Sequence, residues 1–239
     1  MMLKKIIRIL KNDKKPLISD DFAAKHWNII IRERLIQLVR ALFLRVFTIF
    51  RVPFLFVGKG IHIRNVANLD AGKGLMIGDY CKIDCLSEKK CVFGKNVSIN
   101  RNVEIASSPT IESLGKGFKI GNRVGINSGC FFGAQGGIEI LDGTIIGPHV
   151  LIFSENHRFD RDMSILKSGL KREKVKIGKD CWIGAGVKIM PGVEIGDHCI
   201  IAAGSIVTKS FGSNSFIAGV PAEIKKSIDK KIQDEDYLN

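Results

Sequence analysis

The chain has 239 residues, and a hydrophobic fraction of 45% with only 6 prolines argues against a disordered protein and for one sizeable core. Its formal net charge of +13 indicates an anionic partner, for which the candidates are nucleic acid, a membrane surface or a phosphorylated small molecule. Charge alone does not choose among the three.

The cysteines and the first residues of the chain indicate its cellular compartment. The chain has 6 cysteines but no C-x-x-C pair, and no Cys/His spacing is typical of a zinc site. We therefore expect no metal. The opening stretch MMLKKIIRILKNDKK is basic, but its apolar run is too short for a secretory signal. These features favour a cytoplasmic protein with reduced thiols.

Residues 21–52 predict an amphipathic helix that ends before Pro53. The helix lies within an amino-terminal arm that we assign to residues 1–57. At 100° per residue, its polar side chains fall in an arc of roughly 140°. That arc contains Glu33, Arg34, Gln37, Arg40, Arg45, Thr48 and Arg51. Arginines so spaced argue against a membrane-spanning helix, which needs about 20 mostly apolar residues.

Two interpretations of this helix stay open. It can lie in the plane of a membrane surface with its arginines toward water, a peripheral contact at the inner face of the membrane. Alternatively, its apolar face can pack on the end of the folded domain or on a neighbouring subunit. The two arrangements are compatible with each other.

A six-residue repeat dominates the chain from about residue 70 onward. Aliphatic residues recur at Ile177, Ile183, Ile189, Ile195, Ile201 and Val207, and in shorter runs at Ile77 and Ile83, at Phe93, Ile99 and Ile105, and at Ile120, Ile126 and Phe132. This period fits neither a helix nor a long alternating strand. It predicts short flat strands joined by turns, three strands to a coil of 18 residues, with Ile177 directly above Ile195.

The stretch VKIGKDCWIGAGVKIMPGVEIGDHCIIAAGSIVTKS, followed by FIAGVPAEIKK, resembles the hexapeptide-repeat acyltransferases, in the branch of the galactoside, maltose and nodulation-factor acetyltransferases. The resemblance covers roughly residues 70–226 and implies a left-handed parallel β-helix. The general rule for parallel crossovers would have predicted the opposite hand. We assign this β-helix to residues 58–210, with an extruded loop at 154–174 and a tail with a short helix at 211–239.

Four cysteines occupy the small position of their hexads. Cys81, Cys130, Cys181 and Cys199 each lie four residues after a repeat aliphatic position, where a thiol packs as a small hydrophobic group. We expect a structural role for these thiols. Direct acyl transfer is therefore favoured over a covalent acyl-enzyme.

The repeat is interrupted for 25 positions, between Ile152 and Ile177, by a segment that contains IFSENHRFDRD. His157 is the one histidine in that segment, and imidazole is suited to take a hydroxyl proton near neutral pH. It also matches the catalytic histidine of the family that the chain resembles. The neighbouring Glu155 is a weaker candidate for orienting the imidazole.

The resemblance implies further residues at the acceptor site. Asn127 in VGINSGC matches a family asparagine that binds the acceptor. The alternative is a ladder role, in which Asn127 is a turn residue that hydrogen-bonds along the stack of coils. Trp182 matches a tryptophan beside the active site, with an exterior aromatic as the alternative. The family's sugar-binding aspartate region is replaced by GAQGG, around Gln135, which argues against a galactoside acceptor.

The resemblance also implies a groove for acetyl-CoA, the acyl donor. Its pantetheine arm would lie along Ala185, Ala203, Thr208 and Lys209, with Pro221 near the adenine. Lys226 replaces a phosphate-binding arginine, which keeps the charge but not the bidentate fork. Glu223 departs from the basic residue that some relatives have there.

The sequence thus predicts an acetyl-CoA-dependent O-acetyltransferase of a sugar or glycan hydroxyl, acting in surface polysaccharide biosynthesis. The family resemblance implies a homotrimer whose active sites are shared between chains. The alternatives are an N-acetyltransferase of a nucleotide-linked amino sugar and a structural or metal-binding β-helix. We expect no nucleic-acid partner, because the basic residues are dispersed and no known module occurs.

Overall fold

Coils of three short strands repeat along most of the chain. The computed structural model describes residues 24–47, 54–108 and 113–228. One α-helix, α1 (Ala24–Phe47), precedes the first coil. Each strand then pairs in parallel with its counterpart in the next coil, so that three sheets form the sides of a triangular β-helix.

Each sheet takes its strands from successive coils, in chain order. The first sheet contains β1 (Phe56–Val57), β4 (Met76–Ile77), β7 (Ser98–Ile99), β10 (Gly125–Ile126), β13 (Ile145–Ile146), β18 (Trp182–Ile183), β21 (Ile200–Ile201), β23 (Ser215–Gly219) and β24 (Ala222–Ser227). The second contains β2 (His62–Arg64), β5 (Lys82–Asp84), β8 (Glu104–Ala106), β11 (Phe131–Gly133), β14 (Leu151–Phe153), β19 (Lys188–Ile189) and β22 (Ile206–Val207). The third contains β3 (Leu69–Ala71), β6 (Cys91–Phe93), β9 (Phe118–Ile120), β12 (Ile138–Ile140), β17 (Val175–Ile177) and β20 (Glu194–Ile195).

The register of the last coils confirms the predicted stacking. Ile177 pairs with Ile195, Ile183 with Ile201 and Ile189 with Val207, each pair 18 positions apart. All of these side chains are buried. The core is therefore a column of aliphatic side chains in which each coil packs on the next, as the hexad pattern predicts.

Three corners join the sheets, and two of them have a uniform turn. Corner 1 leads from the first sheet to the second, corner 2 from the second to the third, and corner 3 from the third to the first. One residue per turn at corners 1 and 3 has a left-handed backbone. These residues are Gly60, Tyr80, Asn102, Gly129, His149, Gly186 and Gly204 at corner 1, and Gly74, Asn96, Arg123, Gly143, Asp180, His198 and Asn214 at corner 3. His149 and His198 are thus turn residues.

Corner 2 is irregular and takes up the inserted residues. Segments 85–90 and 154–174 lie there, and so do the described residues 107–108 and 113–117, in the second, fifth and third coils respectively. Backbone hydrogen bonds join neighbouring segments, from Glu88 N to Gly115 O at 2.9 Å and from Lys116 N to Gln135 O at 2.9 Å. The phase of the hexads slips along the sequence because these insertions lengthen individual coils.

Helix α1 packs against the first coil with a face that neither interpretation of the helix predicted to be there. The guanidinium carbon of Arg34 lies 5.6 Å from the ring centroid of Phe56, and Ala41 is buried. The side of the helix that carries Arg34 and Ala41 therefore faces the first coil, while Glu33 and Arg34 remain exposed. Apolar side chains face outward instead: Leu35, Ile36, Val39 and Leu42 are 43–58% exposed.

The helix ends at Phe47, so the end predicted at residue 52 falls outside the described residues. Among the described residues, no helix combines the length and the apolar content that crossing a membrane requires.

The carboxyl-terminal part of the described chain is strand rather than the short helix we expected. Strand β23 continues the first sheet, and β24 pairs with it in antiparallel fashion. The sheet geometry thus extends beyond residue 210, the limit predicted for the β-helix. Residues 229–239, over which the rest of the predicted tail extends, lie outside the described residues.

All six cysteines are free and buried. The Sγ of Cys130 donates to the Gly147 carbonyl oxygen at 3.2 Å. Loss of solvation on burial raises the pKa of this thiol to about 11. The packing role predicted for the hexad cysteines agrees with their burial, and none of them is open to a substrate in this chain.

Candidate active site

An antiparallel hairpin leaves corner 2 and carries His157. Its strands are β15 (Glu155–His157) and β16 (Leu170–Arg172), and His157 pairs with Leu170. The amide of Arg158 donates to the Gly169 carbonyl oxygen at 2.9 Å, which continues the ladder. The imidazole is exposed beyond the coil wall. The predicted extruded loop is therefore an ordered hairpin with the histidine at the end of its first strand.

Ser154 anchors the hairpin to the coil below. Its hydroxyl donates to the Gly133 carbonyl oxygen at 2.6 Å and accepts from the amide of Gly136 at 2.8 Å. The amide of Glu173, where the chain returns, donates to the Ser154 carbonyl oxygen at 2.9 Å. Ser154 is fully buried, so its hydrogen bonds satisfy polar groups that water does not reach.

The GAQGG stretch forms the tight turn on which the hairpin stands. A Cβ at Gly136 would overlap the Ser154 carbonyl oxygen and lie 2.8 Å from the amide nitrogen of Glu173. Only glycine leaves room there for both ends of the hairpin. Gly136 within this stretch therefore has a structural role at the base of the hairpin.

Glu155 does not bind the imidazole. Its carboxylate accepts from Nε of Arg172 at 2.6 Å, across the hairpin. Arg172 was missed in the sequence, because its pairing with Glu155 depends on a hairpin register that no hexad pattern reveals. Ser154 was missed for a related reason, since a buried serine at a corner carries no periodic signature.

Asn127 lies at corner 1, at the other end of the second sheet from the hairpin. Its side-chain amide donates to the Ile146 carbonyl oxygen at 3.1 Å, which is the ladder role that we considered as the alternative. Its Oδ1 has no hydrogen-bond partner among the described residues. The oxygen is therefore available to accept a hydrogen bond from a ligand.

Trp182 lies on the outer face of the first sheet. It is 53% exposed and pairs with Ile145 on one side and Ile200 on the other. In a triangular coil, corner 2 is opposite the first sheet, so Trp182 and His157 of one chain lie on opposite sides of the β-helix.

The residues expected to hold the donor fall into three places. Ala185 and Ala203 are stacked and exposed at corner 1, where Gly204 N donates to the Ala185 carbonyl oxygen at 2.8 Å. A Cβ on either Gly186 or Gly204 would meet no heavy atom within 4 Å, so the surface beside the alanines is open. Such a surface fits a narrow, flexible ligand arm.

Thr208 and Lys209 lie at corner 2 of the last coil, next to β22. Pro221 lies in the turn between β23 and β24. Lys226 on β24 pairs with Phe216 on β23, and its Nζ lies 5.5 Å from the centroid of the Phe216 ring. Thr208 and Lys209 are separated from Ala185 by the width of the second sheet. Pro221 instead follows Gly219, whose amide donates to Ser205 Oγ at 3.2 Å, so it lies at the corner 1 end of the first sheet.

One chain therefore does not assemble the expected site. His157 is at corner 2, whereas Asn127 and Ala185 are at corner 1. A second-sheet strand of three residues separates these corners by on the order of 10 Å. Among the described residues, no three or more His, Cys, Asp or Glu side chains converge as they would around a metal ion.

A protein family described as bacterial transferase hexapeptide (six repeats) matches residues 174–209, the region where the coils are most regular. Residues 174–209 thus carry the hexapeptide repeat of this family, as the sequence resemblance predicted. The β-helix of this chain is left-handed, as that resemblance also predicted.

Two curated relatives are galactoside O-acetyltransferases. The protein from Escherichia coli (strain K12) is 34% identical over 133 residues, which are 54% of this hexapeptide-repeat chain and 64% of the relative. The protein from Lactococcus lactis subsp. lactis (strain IL1403) is 37% identical over 101 residues, which are 42% of this chain and 46% of the relative. The chain thus spans between about half and two thirds of the length of these relatives.

Two solved structures also align with the hexapeptide-repeat chain. A maltose O-acetyltransferase from Clostridium difficile 630 aligns at 24% identity with a TM-score of 0.45, covering 96% of this chain and 86% of its own. A mutant of an N-acyltransferase from Bacillus cereus, in complex with dTDP and coenzyme A, aligns at 21% identity with a TM-score of 0.48, covering 75% and 86%.

We predict that Gly136→Ala lowers the free energy of unfolding by about 1–3 kcal/mol, because the new methyl group forces the hairpin base apart. Urea unfolding measures this change. Gly212→Ala is the matched control, because a Cβ there meets nothing within 4 Å, and we expect it to change stability by less than about 1 kcal/mol. Equal losses in both variants would contradict the anchoring role of Gly136.

Proposed function

We propose that the protein is an acetyl-CoA-dependent O-acetyltransferase that acts on a sugar hydroxyl in surface polysaccharide biosynthesis. The observation that carries the proposal is His157, exposed on an anchored hairpin that interrupts an otherwise closed coil. The names of the galactoside O-acetyltransferases among its relatives support the reaction type. A polysaccharide setting is favoured by the helix that precedes the β-helix.

His157 acts as the general base in this proposal. It takes the proton of the acceptor hydroxyl while the hydroxyl oxygen attacks the thioester carbonyl. The tetrahedral intermediate then collapses, the carbon–sulfur bond breaks, and the imidazolium returns its proton to the leaving thiolate. No cysteine of this chain takes part, because all six are buried. The acetyl group therefore passes directly between substrates held together.

The donor would lie along corner 1. Ala185 and Ala203 present small side chains beside open surface, which allows a pantetheine arm to contact the backbone. Lys226 and Lys209 would supply positive charge toward the donor's phosphates. The formal net charge of +13 of the whole chain favours a ligand with several phosphates.

The site would be shared between copies of the chain in a homotrimer. His157 and Asn127 lie at different corners, and Trp182 lies on the side of the coil opposite the hairpin. If all three residues serve one acceptor, the hairpin of one copy must meet corner 1 and the first sheet of the next. In a closed ring of three copies, every copy makes the same two contacts, and three equivalent sites form.

The outward face of α1 is a candidate membrane contact. We propose that this face, formed by Leu35, Ile36, Val39 and Leu42, lies on a membrane surface with acidic headgroups. Arg32 is exposed on the same part of the helix, and the whole chain is strongly basic, so charge favours an anionic surface. The enzyme would then work close to lipid-linked glycan.

We predict that His157→Ala lowers kcat by at least about 100-fold, because the general base is lost. Purified protein would be given acetyl-CoA and a panel of glycans, nucleotide sugars and amino sugars, with release of free thiol and the mass of the product as the measurements. Oxygen-linked and nitrogen-linked products differ in alkaline stability, which separates the two acetyl-transfer alternatives.

His198→Asn serves as the control for His157→Ala. His198 is exposed at corner 3 with φ of 57°, a conformation that asparagine accepts, so its loss should leave turnover unchanged. If His157→Ala turned over substrate at the parental rate, His157 would not be the general base.

A mixing experiment tests whether sites are shared. We expect His157→Ala and Asn127→Ala each to be nearly inactive alone. Trimers formed by co-expressing the two should recover about a quarter of the parental activity, because one site in four then pairs an intact histidine with an intact asparagine from another copy. No recovery would indicate that both residues of a site come from one chain.

Vesicle sedimentation tests the membrane contact. We expect binding to vesicles that contain phosphatidylglycerol and little binding to phosphatidylcholine alone. The double variant Leu35→Asp/Val39→Asp should bind at least about tenfold more weakly, because it places charge on the apolar face. Leu166→Asp is the control, since Leu166 is 91% exposed on the hairpin. Two results would contradict the assignment. The double variant could bind vesicles as well as the parental protein does, or it could dissociate into monomers, which would show that the apolar face packs on a neighbouring subunit.

A further inference from the structure

Arg172 connects the His157 hairpin to a neighbouring segment of corner 2. Its Nε donates to Glu155 Oε2 at 2.6 Å within the hairpin. Its Nη1 donates to the Leu114 carbonyl oxygen at 2.8 Å, and its Nη2 donates to Ser113 Oγ at 2.8 Å. One planar guanidinium thus binds both the hairpin and residues 113–114. Lysine, a point charge on a flexible stem, does not reproduce this fork.

These contacts are close to the proposed base. In a strand, side chains two residues apart share a face, so Glu155 and His157 lie on the same face of the hairpin. Arg172 pairs with Glu155 across the ladder, and Leu170 pairs with His157. The face that carries the imidazole is therefore the face that Arg172 ties to Ser113 and Leu114.

Burial makes the ion pair stronger than an ordinary surface contact. The side chains of Arg172 and Glu155 are 21% and 16% exposed, respectively. Partial burial reduces screening by water and salt, and hydrogen bonds between charged groups are shorter and stronger than neutral ones. In contrast, residues 156–167 of the hairpin are exposed. Without Arg172, that part of the hairpin has little packing to hold its position.

We propose that Arg172 is a positioning residue: its contacts with Glu155, Ser113 and Leu114 fix the hairpin so that His157 meets the acceptor hydroxyl at the correct distance. This inference rests on the proposed function, since it requires His157 as the base. The anchor at Ser154 holds the base of the hairpin independently. Loss of Arg172 therefore displaces the imidazole without unfolding the coil.

Lys174 offers a matched control on the same stretch of chain. Its Nζ donates to Glu139 Oε2 at 2.6 Å, the same length as the contact between Arg172 and Glu155. The Lys174 ammonium holds the pKa of the Glu139 carboxyl below its usual range, so this ion pair is formed near neutral pH. Glu139 lies on β12 of the third sheet, so this ion pair joins Lys174 to the coil wall and not to the hairpin strands.

The test compares Arg172→Gln, Arg172→Lys, Glu155→Gln and Lys174→Gln in steady-state kinetics with acetyl-CoA. We expect Arg172→Gln to lower kcat by between about 10-fold and 100-fold, the range for a catalytic group displaced by about 1 Å. KM for acetyl-CoA and the unfolding temperature should match those of the parental protein. Arg172→Lys should recover part of the activity, and Lys174→Gln should have no effect.

A double-mutant cycle makes the test stricter. The variant Arg172→Gln/Glu155→Gln should be no slower than Arg172→Gln alone, since the two residues act through one contact. Hydrogen exchange at the amides of residues 156–158 should be faster in Arg172→Gln than in Lys174→Gln. Parental kcat in Arg172→Gln, or equal losses in Arg172→Gln and Lys174→Gln, would overturn the inference.

The results distinguish a wrong choice of base from a wrong positioning role. If His157→Ala retains turnover, the proposed function fails in its choice of base. If His157→Ala is inactive while Arg172→Gln keeps the parental rate, only the positioning role fails.

Discussion

The stacking of aliphatic side chains from coil to coil is the constraint on which the rest of this structure depends. Each inward residue, such as Ile177, packs on a similar residue 18 positions later, and the parallel backbones hydrogen-bond at the same spacing. Neither a helix nor an ordinary sheet is compatible with that period. The result is a rigid triangular column with little freedom at its walls.

A rigid column gives an enzyme precise positions but no enclosure. Its walls are flat, so a substrate can be surrounded only by residues that leave the coil. Corner 2 allows such departures because the backbone groups exposed by an insertion find other partners there. Ser154 and Gly136 show how: the serine hydroxyl satisfies the backbone, and the glycine leaves space for both ends of the hairpin. The hairpin therefore interrupts the repeat while the coils on either side of it stay paired in parallel, β12 with β17 and β14 with β19.

The column and the position of the hairpin could be predicted from the sequence, because both follow from where the hexads occur and where they stop. The break between Ile152 and Ile177 marks the hairpin that carries His157. The contacts that hold the hairpin could not be predicted. Arg172 and Glu155 are partners only in one antiparallel register, and nothing in the hexad pattern specifies it.

The helix shows a second limit of sequence-based prediction. We left two arrangements of α1 open, on a membrane surface or packed on protein, and both place its arginines toward water. The described part of the helix instead places Arg34 on Phe56 and leaves Leu35 outside. The periodic pattern distinguishes an apolar face from a polar one, but it carries no information about which face meets the β-helix.

The central claim is that the hairpin of one copy brings His157 to a donor bound at corner 1 of another. A crystal structure of the oligomer with coenzyme A tests this most directly, through the distance from the coenzyme sulfur to the nearest imidazole nitrogen of His157. We expect about 3–5 Å, with the histidine and Ala185 contributed by different copies. A distance beyond about 10 Å, or a sulfur bound between residues of a single chain, would contradict the claim.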